Sequence, residues 1–155
     1  MVTHLNKKNK PQIVDISKKN NTNRTAKAEG KIFFSKSSFN KIQKLKTKKG
    51  EITSIAIIAG IMGAKKTSEL IPLCHNINIE NINIEIIAKP KIYALQVTSI
   101  VKSKGKTGVE MEALTAISLA CLTIYDMCKS IDKGIEISNI KLLSKKGGKS
   151  DFISE

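Results

Sequence analysis

The sequence has few aromatic residues, almost no arginine and no apolar segment long enough to cross a membrane. Among its 155 residues there are two Tyr and four Phe, and Arg24 is the only arginine. The longest apolar stretches, 52–64 and 113–128, are shorter than the ~18 residues that a membrane-spanning helix needs. Residues 1–10 carry no apolar signal-peptide core. We therefore expect neither a membrane span nor secretion.

Cysteine and histidine are also scarce. The three cysteines are odd in number and contain no C-x-x-C pair, which argues against a disulfide framework and a zinc finger and favours a reducing compartment. Cys121 and Cys128 are seven residues apart, so they share a helix face and are expected in the core. Of the two histidines, only His75 lies within the patterned part of the chain. Cys74 and His75 are adjacent, but no second group of possible ligands has the spacing of a metal site, so no metal site is expected.

Lysine supplies nearly all of the positive charge. The chain has 27 Lys+Arg against 13 Asp+Glu, a net charge of +14. Lys, Ile and Asn together make 62 of the 155 residues, which is typical of an AT-rich coding sequence. A bacterial cytoplasm, or an organelle with an AT-rich genome, is the expected location. Lysine is less suited than arginine to bidentate hydrogen bonding with bases or phosphates, so the charge is weak evidence for nucleic-acid recognition. We infer instead a preference for small polyanions such as triphosphates.

The apolar pattern predicts one domain over 13–155, preceded by a flexible basic segment over 1–12. Strands are predicted near 25–34, 77–86, 93–101 and 135–142, and helices after Ser35, over 52–70 and over 110–130, with a loop at 145–150. The order β-α-α-β-β-α-β predicts an α+β, ferredoxin-like split βαβ fold, with an antiparallel sheet and helices packed on one face. We expect subunit packing to cover part of the open sheet face.

Two local patterns refine this prediction. The interrupted alternation between Ile79 and Ile82 indicates a β-bulge. Small residues on the second helix would let another backbone approach closely, and they are Ala56, Ala59, Gly60 and Gly63.

The long helix carries one polar stripe on an otherwise apolar surface. At 100° per residue, six side chains fall within an arc of about 140°: Glu112, Thr115, Ser118, Thr123, Asp126 and Lys129. The stripe is either a solvated face with a weak surface ion pair or one wall of a polar site. Near the C-terminus, Gly148-Lys149-Ser150 fails the P-loop pattern because Leu143 stands where glycine is needed.

Four stretches resemble a known family, in that family's order and spacing: Glu69-Leu-Ile-Pro-Leu-Cys-His75, Gly105-Lys-Thr-Gly-Val-Glu-Met-Glu-Ala-Leu-Thr115, Leu122-Thr-Ile-Tyr-Asp-Met-Cys-Lys129 and Lys145-Lys-Gly-Gly-Lys-Ser150. The chain is similar over 13–150 to the cyclic pyranopterin monophosphate synthases, the molybdenum cofactor biosynthesis protein C family.

The resemblance implies a ferredoxin-like lyase that assembles as a homo-hexamer, a trimer of dimers, with active sites at subunit interfaces. The implied substrate is 3′,8-cyclo-7,8-dihydroguanosine 5′-triphosphate, made from GTP by a radical S-adenosylmethionine enzyme. The products are cyclic pyranopterin monophosphate and pyrophosphate. No cofactor with a dedicated site is implied, and whether Mg²⁺ accompanies the triphosphate stays open.

The same resemblance assigns roles to individual residues. It implies catalytic roles for Asp126, Lys129 and Lys49, and rearrangement of a purine-derived ring needs such acid–base groups. It implies substrate binding by Leu73, Cys74, His75, Met111 and Glu112, while Glu110 or Glu112 could hold guanine-type N–H donors. Phosphate binding is expected of Arg24, Lys65, Lys66, Lys145 and Lys149.

Three positions depart from the family pattern. Ile57 replaces the usual Arg, Asn76 the usual Pro after His75, and Asp151 the usual Gly after Ser150. None removes a proposed catalytic group, so an active enzyme is expected.

Two other classes remain to be weighed. A nucleic-acid-binding domain of the RRM type fits the charge and topology, but its strands need stacking aromatics, and the central strands here offer Tyr93 alone. A purely structural protein would leave the polar stripe unexplained. No nucleic acid and no membrane is therefore expected among the partners.

Overall fold

The computed structural model describes residues 4–44 and 52–154. The strands are β1 (Thr22–Phe33), β2 (Ile79–Lys89), β3 (Ala94–Gly105), β4 (Glu136–Lys146) and β5 (Phe152–Ile153). The helices are α1 (Lys36–Lys44), α2 (Ile52–Lys65), α3 (Thr67–Leu70) and α4 (Glu110–Cys128). A 3₁₀ turn, Pro90–Ile92, joins β2 to β3.

The five strands form one antiparallel sheet in the order β2-β3-β1-β4-β5. The first four strands have the order and crossovers of the ferredoxin-like split βαβ plan, so the predicted fold class is confirmed. The pairing of β2 with β3 shifts register between Ile79 and Asn81, where the predicted bulge lies.

The core lies between one sheet face and the pair α2 and α4. Alternate β1 residues from Ala26 to Ile32 are buried on that face, as period-two alternation requires. Gly60 lets the two helices approach, because a Cβ there would lie 2.9 Å from the Ala116 carbonyl oxygen. Cys121 and Cys128 are fully buried, as predicted.

Contrary to the expectation from the apolar stretch 113–128, the whole of α4 is by length and composition long enough to cross a bilayer, because it begins at Glu110, and half of it is buried inside this fold. It packs on α2 and on β1, β3 and β4, as the core helix of a water-soluble domain does.

Four local predictions need correction. The second helix breaks at Lys66, and α3 follows as a separate turn. Lys145 and Lys146 lie in β4, paired with β1, rather than in a loop. The short β5 was not predicted. Tyr93 precedes β3 in the left-handed conformation and packs edge-on against Phe39.

The edge where β1 begins and β3 and β4 end also holds the start of α4. Thr22 pairs with Gly105 there, and Thr25 pairs with Lys146. Three chain segments and a helix N-terminus therefore converge at this edge, and α4 carries the chain from it to the opposite edge.

Candidate active site

Two adjoining cavities form a cleft at this edge. One has a volume of about 510 Å³ and the other about 370 Å³. They share four lining residues, which mark the junction between them: Lys19, Thr107, Gly108 and Glu110. One ligand with two chemically different ends could therefore occupy both.

The larger cavity is strongly basic. Among the described residues that line it, Glu110 is the only carboxylate, and the cationic ones are Lys19, Arg24, Lys106, Lys145, Lys146 and Lys149. This cavity therefore suits a polyanion, and it gathers three of the predicted phosphate ligands, Arg24, Lys145 and Lys149.

The segment 145–150 forms one wall of this basic cavity, and its path depends on the backbone conformation of Gly147. Gly147 has φ +85°, and a Cβ there would overlap the Asn23 carbonyl oxygen. The Thr22 hydroxyl donates to the Gly147 carbonyl at 2.6 Å. The Arg24 Nε–H donates to the Gly105 carbonyl at 3.2 Å, so this guanidinium is fixed beside the loop. Only glycine combines this φ with such close approach.

The smaller cavity is lined by Leu73, Cys74, His75, Met111 and Glu112, so it gathers that whole predicted substrate-binding set. The Glu112 side chain is the most deeply buried charged group there, with 3% of the residue exposed. Its Oε2 has no hydrogen-bond partner among the described residues. Burial is the main reason why the pKa of Glu112 rises to about 7, and the Glu110 charge adds to the effect. Burial and the Glu112 charge also raise the pKa of the Cys74 thiol.

The segment before β1 forms the outer wall of this smaller cavity. The His75 Nε2 lies 2.7 Å from the Val14 carbonyl oxygen, which can only accept, so Nε2 carries the proton. The Lys106 ammonium donates to the Ser17 carbonyl at 2.8 Å and holds the same segment against the 105–108 loop. In this tautomer the acceptor nitrogen of His75 is Nδ1.

At the junction, the Lys145 Nζ lies 3.0 Å from the Glu110 Oε1. Lys145 lines only the basic cavity, whereas Glu110 lines both. This ion pair links the two halves of the cleft.

The predicted pair Asp126 and Lys129 lies elsewhere, near the far end of α4. Fourteen residues separate Asp126 from Glu112, which is about 21 Å along a helix. The Lys129 Nζ donates to the Asp126 Oδ1 at 2.6 Å, and their side chains are 60% and 72% exposed, respectively. The hydrogen bond and charge of Asp126 raise the pKa of Lys129, so Lys129 is a cation at neutral pH. The polar stripe thus has a buried end in the cleft and an exposed end.

The remaining predicted site residues lie outside the cleft or outside the described residues. Lys65 and Lys66 are exposed where α2 meets α3 and line neither cavity. Lys49 lies outside the described residues. Sequence reasoning missed Lys19, Lys106 and Lys146. The two glycines that bracket Lys106 were a usable signal, whereas Lys19 and Lys146 could not be told from surface lysines.

The three departures from the family pattern have clear positions. The Asp151 Oδ1 accepts from the Gly147 N–H at 3.0 Å and closes the C-terminal loop. Ile57 packs against the core, and Asn76 is exposed beside His75.

The chain is similar to a protein of known structure and to named natural proteins. A solution structure of a de novo designed protein with a ferredoxin fold has a TM-score of 0.45 and 15% identity, covering 84% of this chain and 94% of that one. Cyclic pyranopterin monophosphate synthase from Helicobacter hepaticus is 53% identical, over 99% of this chain and 98% of its own. The Clostridium botulinum protein of that name is also 53% identical, over 98% and 96%. The MoaC family model matches residues 13–148. The chain belongs to the MoaC family.

Proposed function

We propose that the protein is a lyase of molybdenum cofactor biosynthesis that converts 3′,8-cyclo-7,8-dihydroguanosine 5′-triphosphate to cyclic pyranopterin monophosphate and pyrophosphate. The observation that carries the proposal is the cleft, in which a polycationic cavity adjoins one lined by His75 and the buried Glu112. This division matches a substrate with a triphosphate at one end and a purine-derived ring at the other.

In this proposal the basic cavity holds the triphosphate and stabilises the leaving pyrophosphate. A sugar hydroxyl gives its proton to a general base and its oxygen attacks the α-phosphorus. The bond from the α-phosphorus to the oxygen that bridges it to the β-phosphorus breaks, and negative charge builds on the leaving pyrophosphate. Arg24, Lys145 and Lys149 line the cavity where that charge would develop, so they would lower the barrier electrostatically. In this proposal Mg²⁺ would act only as a counter-ion that accompanies the triphosphate.

The smaller cavity would hold the ring. The Glu112 carboxyl can hydrogen-bond a guanine-type edge in either form: it accepts two N–H donors when ionised, and it pairs with an adjacent carbonyl and N–H when protonated. The His75 Nδ1 can accept a further N–H. Leu73 and Met111 supply apolar contact to the ring faces.

The acid–base groups would come from a second subunit. Asp126 and Lys129 lie about 21 Å along α4 from Glu112, and exposed apolar side chains such as Ile58, Met62 and Leu122 on α2 and α4 offer a surface for assembly. A homo-hexamer built as a trimer of dimers would bring one subunit's pair to another's cleft. Because Asp126 keeps Lys129 charged, Lys129 would act first as a proton donor.

Turnover is the direct test of this function. Supplied with the cyclised dihydro-GTP, the wild type should release pyrophosphate and form the pterin, detected by fluorescence after oxidation. Lys129→Ala should give neither product, and Lys91→Ala, in the exposed turn between β2 and β3, should behave as wild type. A folded wild-type protein that forms no product would contradict the proposal.

Subunit mixing tests the shared site. Glu112→Gln and Asp126→Asn should each be inactive, and after unfolding and refolding together about a quarter of the sites should recover both native groups. No recovery from a mixed oligomer would place both groups in sites built from one chain.

The cellular setting follows from the same chemistry. The substrate must come from a radical S-adenosylmethionine enzyme that cyclises GTP, and the protein would act beside it in the bacterial cytoplasm. The named relatives are bacterial biosynthetic enzymes, which supports this setting.

A further inference from the structure

An ion pair between Lys145 and Glu110 joins the two cavities. Lys145 Nζ is 3.0 Å from Glu110 Oε1, and these side chains are 39% and 27% exposed. Lys145 lies on the phosphate side only, whereas Glu110 faces both cavities. A ligand that takes Lys145 therefore leaves Glu110 without this counter-ion.

Glu110 and Glu112 lie two residues apart in the first turn of α4. Glu112 is 97% buried by residue, and its Oε2 has no partner among the described residues. The titratable groups around the smaller cavity come from three segments: His4 and Lys19 before β1, Cys74 and His75 after α3, and Glu110 on α4. Strand β4 contributes Lys145, which does not line this cavity but forms an ion pair with Glu110. Of these, Lys19 and Glu110 also line the phosphate half, and Glu110 is paired with a cation of that half, Lys145.

We propose, on the basis of the proposed function, that Glu110 and Lys145 are a positioning pair: polyphosphate binding draws Lys145 away from Glu110, and the freed Glu110 charge drives a solvent proton onto Glu112. The proton adds to one carboxylate oxygen of Glu112, and no other bond changes. Occupation of the phosphate half thereby sets the hydrogen-bonding capacity of the ring half.

This proton changes what the ring half recognises. An ionised carboxylate accepts two N–H donors, whereas a neutral carboxylic acid offers one donor and one acceptor. A neutral Glu112 therefore pairs with an adjacent carbonyl and N–H, as on a pterin or guanine lactam edge. The site would select for that edge only when a polyphosphate is bound to the same molecule.

Calorimetry with inorganic tripolyphosphate tests the proposal without turnover. Titrations at pH 8 in buffers of different ionisation enthalpy count the protons taken up. At that pH a carboxyl whose pKa is about 7 is mostly ionised, so a large uptake is measurable. Wild type should take up more protons than Glu112→Gln. Proton uptake by the tripolyphosphate itself is the same with both proteins, so the difference between them reports Glu112.

Four variants separate the contribution of the Glu110–Lys145 pair from that of its surroundings. Glu110→Gln and Lys145→Met should lose the extra uptake. Lys149→Met should bind tripolyphosphate more weakly yet keep the extra proton uptake, because Lys149 lines the same cavity as Lys145 but is not the residue paired with Glu110. Glu69→Gln, an exposed carboxylate on α3, should match wild type.

The outcomes distinguish a failure of this inference from a failure of the proposed function on which it rests. Equal uptake by wild type and Glu112→Gln overturns the inference, and so does uptake that persists in Glu110→Gln. In both cases tripolyphosphate still binds, so the proposed function stands. If wild type does not bind tripolyphosphate, both proposals fail.

Discussion

At the scale of single residues, the buried carboxyl of Glu112 links stability to pH. Its pKa rises from 4.5 to about 7 in the folded protein, so the folded state binds this proton more tightly than the unfolded state does. Its contribution to stability is complete below pH 4.5 and is lost as the pH rises through 7. The full loss is about 3 kcal/mol, from 1.36 kcal/mol for each pKa unit.

Glu112→Gln should remove that part of the pH dependence. Denaturant unfolding at pH 5 and pH 9 should show a larger fall in the free energy of unfolding for wild type than for the variant, by roughly 2–3 kcal/mol. Comparing the two slopes cancels other titrating groups. Parallel slopes would mean that the Glu112 carboxyl is solvated in solution.

Single residues also show where sequence reasoning stops. Resemblance selected Glu112, but its burial could not be read from a polar stripe whose other end, Asp126, is exposed. Lys145 was predicted in a loop because Lys-Lys-Gly-Gly is polar throughout. It lies in β4 because backbone pairing with Ala26 needs no apolar side chain.

At the scale of elements, the C-terminal loop depends on Gly147. Gly147→Ala would place a methyl group on the Asn23 carbonyl and force a left-handed backbone, which alone costs roughly 1–2 kcal/mol. We expect tripolyphosphate affinity to fall at least tenfold, as measured by calorimetry. Gly134→Ala is the matched control, because its Cβ would meet only the Asp132 carboxylate at 3.5 Å. Equal affinities in the two variants would show that the loop can rearrange without loss of the basic cavity.

The contact between α2 and α4 gives a second comparison at this scale. A Cβ at Gly60 meets the backbone oxygen of Ala116, which cannot move alone, whereas a Cβ at Gly63 meets only the Leu119 side chain. Gly60→Ala should destabilise the fold by roughly 1–3 kcal/mol, and Gly63→Ala by less. Thermal unfolding would measure both, and a larger loss from Gly63→Ala would contradict this packing.

Elements were the most predictable level of this structure. Period-two alternation located β2 and its bulge at Ile79, and glycines marked the close face of α2. The break at Lys66 was missed because the polar run 65–69 was included in the helix up to Pro72, the first residue that cannot continue one. The two-residue β5 is too short for any periodicity.

At the scale of the whole molecule, the net charge of +14 should govern binding to polyanions. The Debye length falls from about 10 Å at 0.1 M salt to about 3 Å at 1 M, so the attraction of the basic cavity should weaken over that range. The Kd for tripolyphosphate should rise more than tenfold. Lys149→Ala should flatten this dependence, whereas Lys91→Ala, outside the cavity, should not. A Kd that is independent of salt would point to binding without the lysines.

The length of α4 has a consequence for how this protein can change. In the proposed assembly its first turn serves one site and its last turn another, so its 19 residues act as a fixed spacer between two reaction centres. One inserted residue would turn the Asp126–Lys129 pair by about 100° around the axis, and a whole added turn would displace it by about 5.4 Å. Neither change could be corrected inside one subunit. The α4 segment should therefore tolerate substitutions on its outer face but no insertions or deletions.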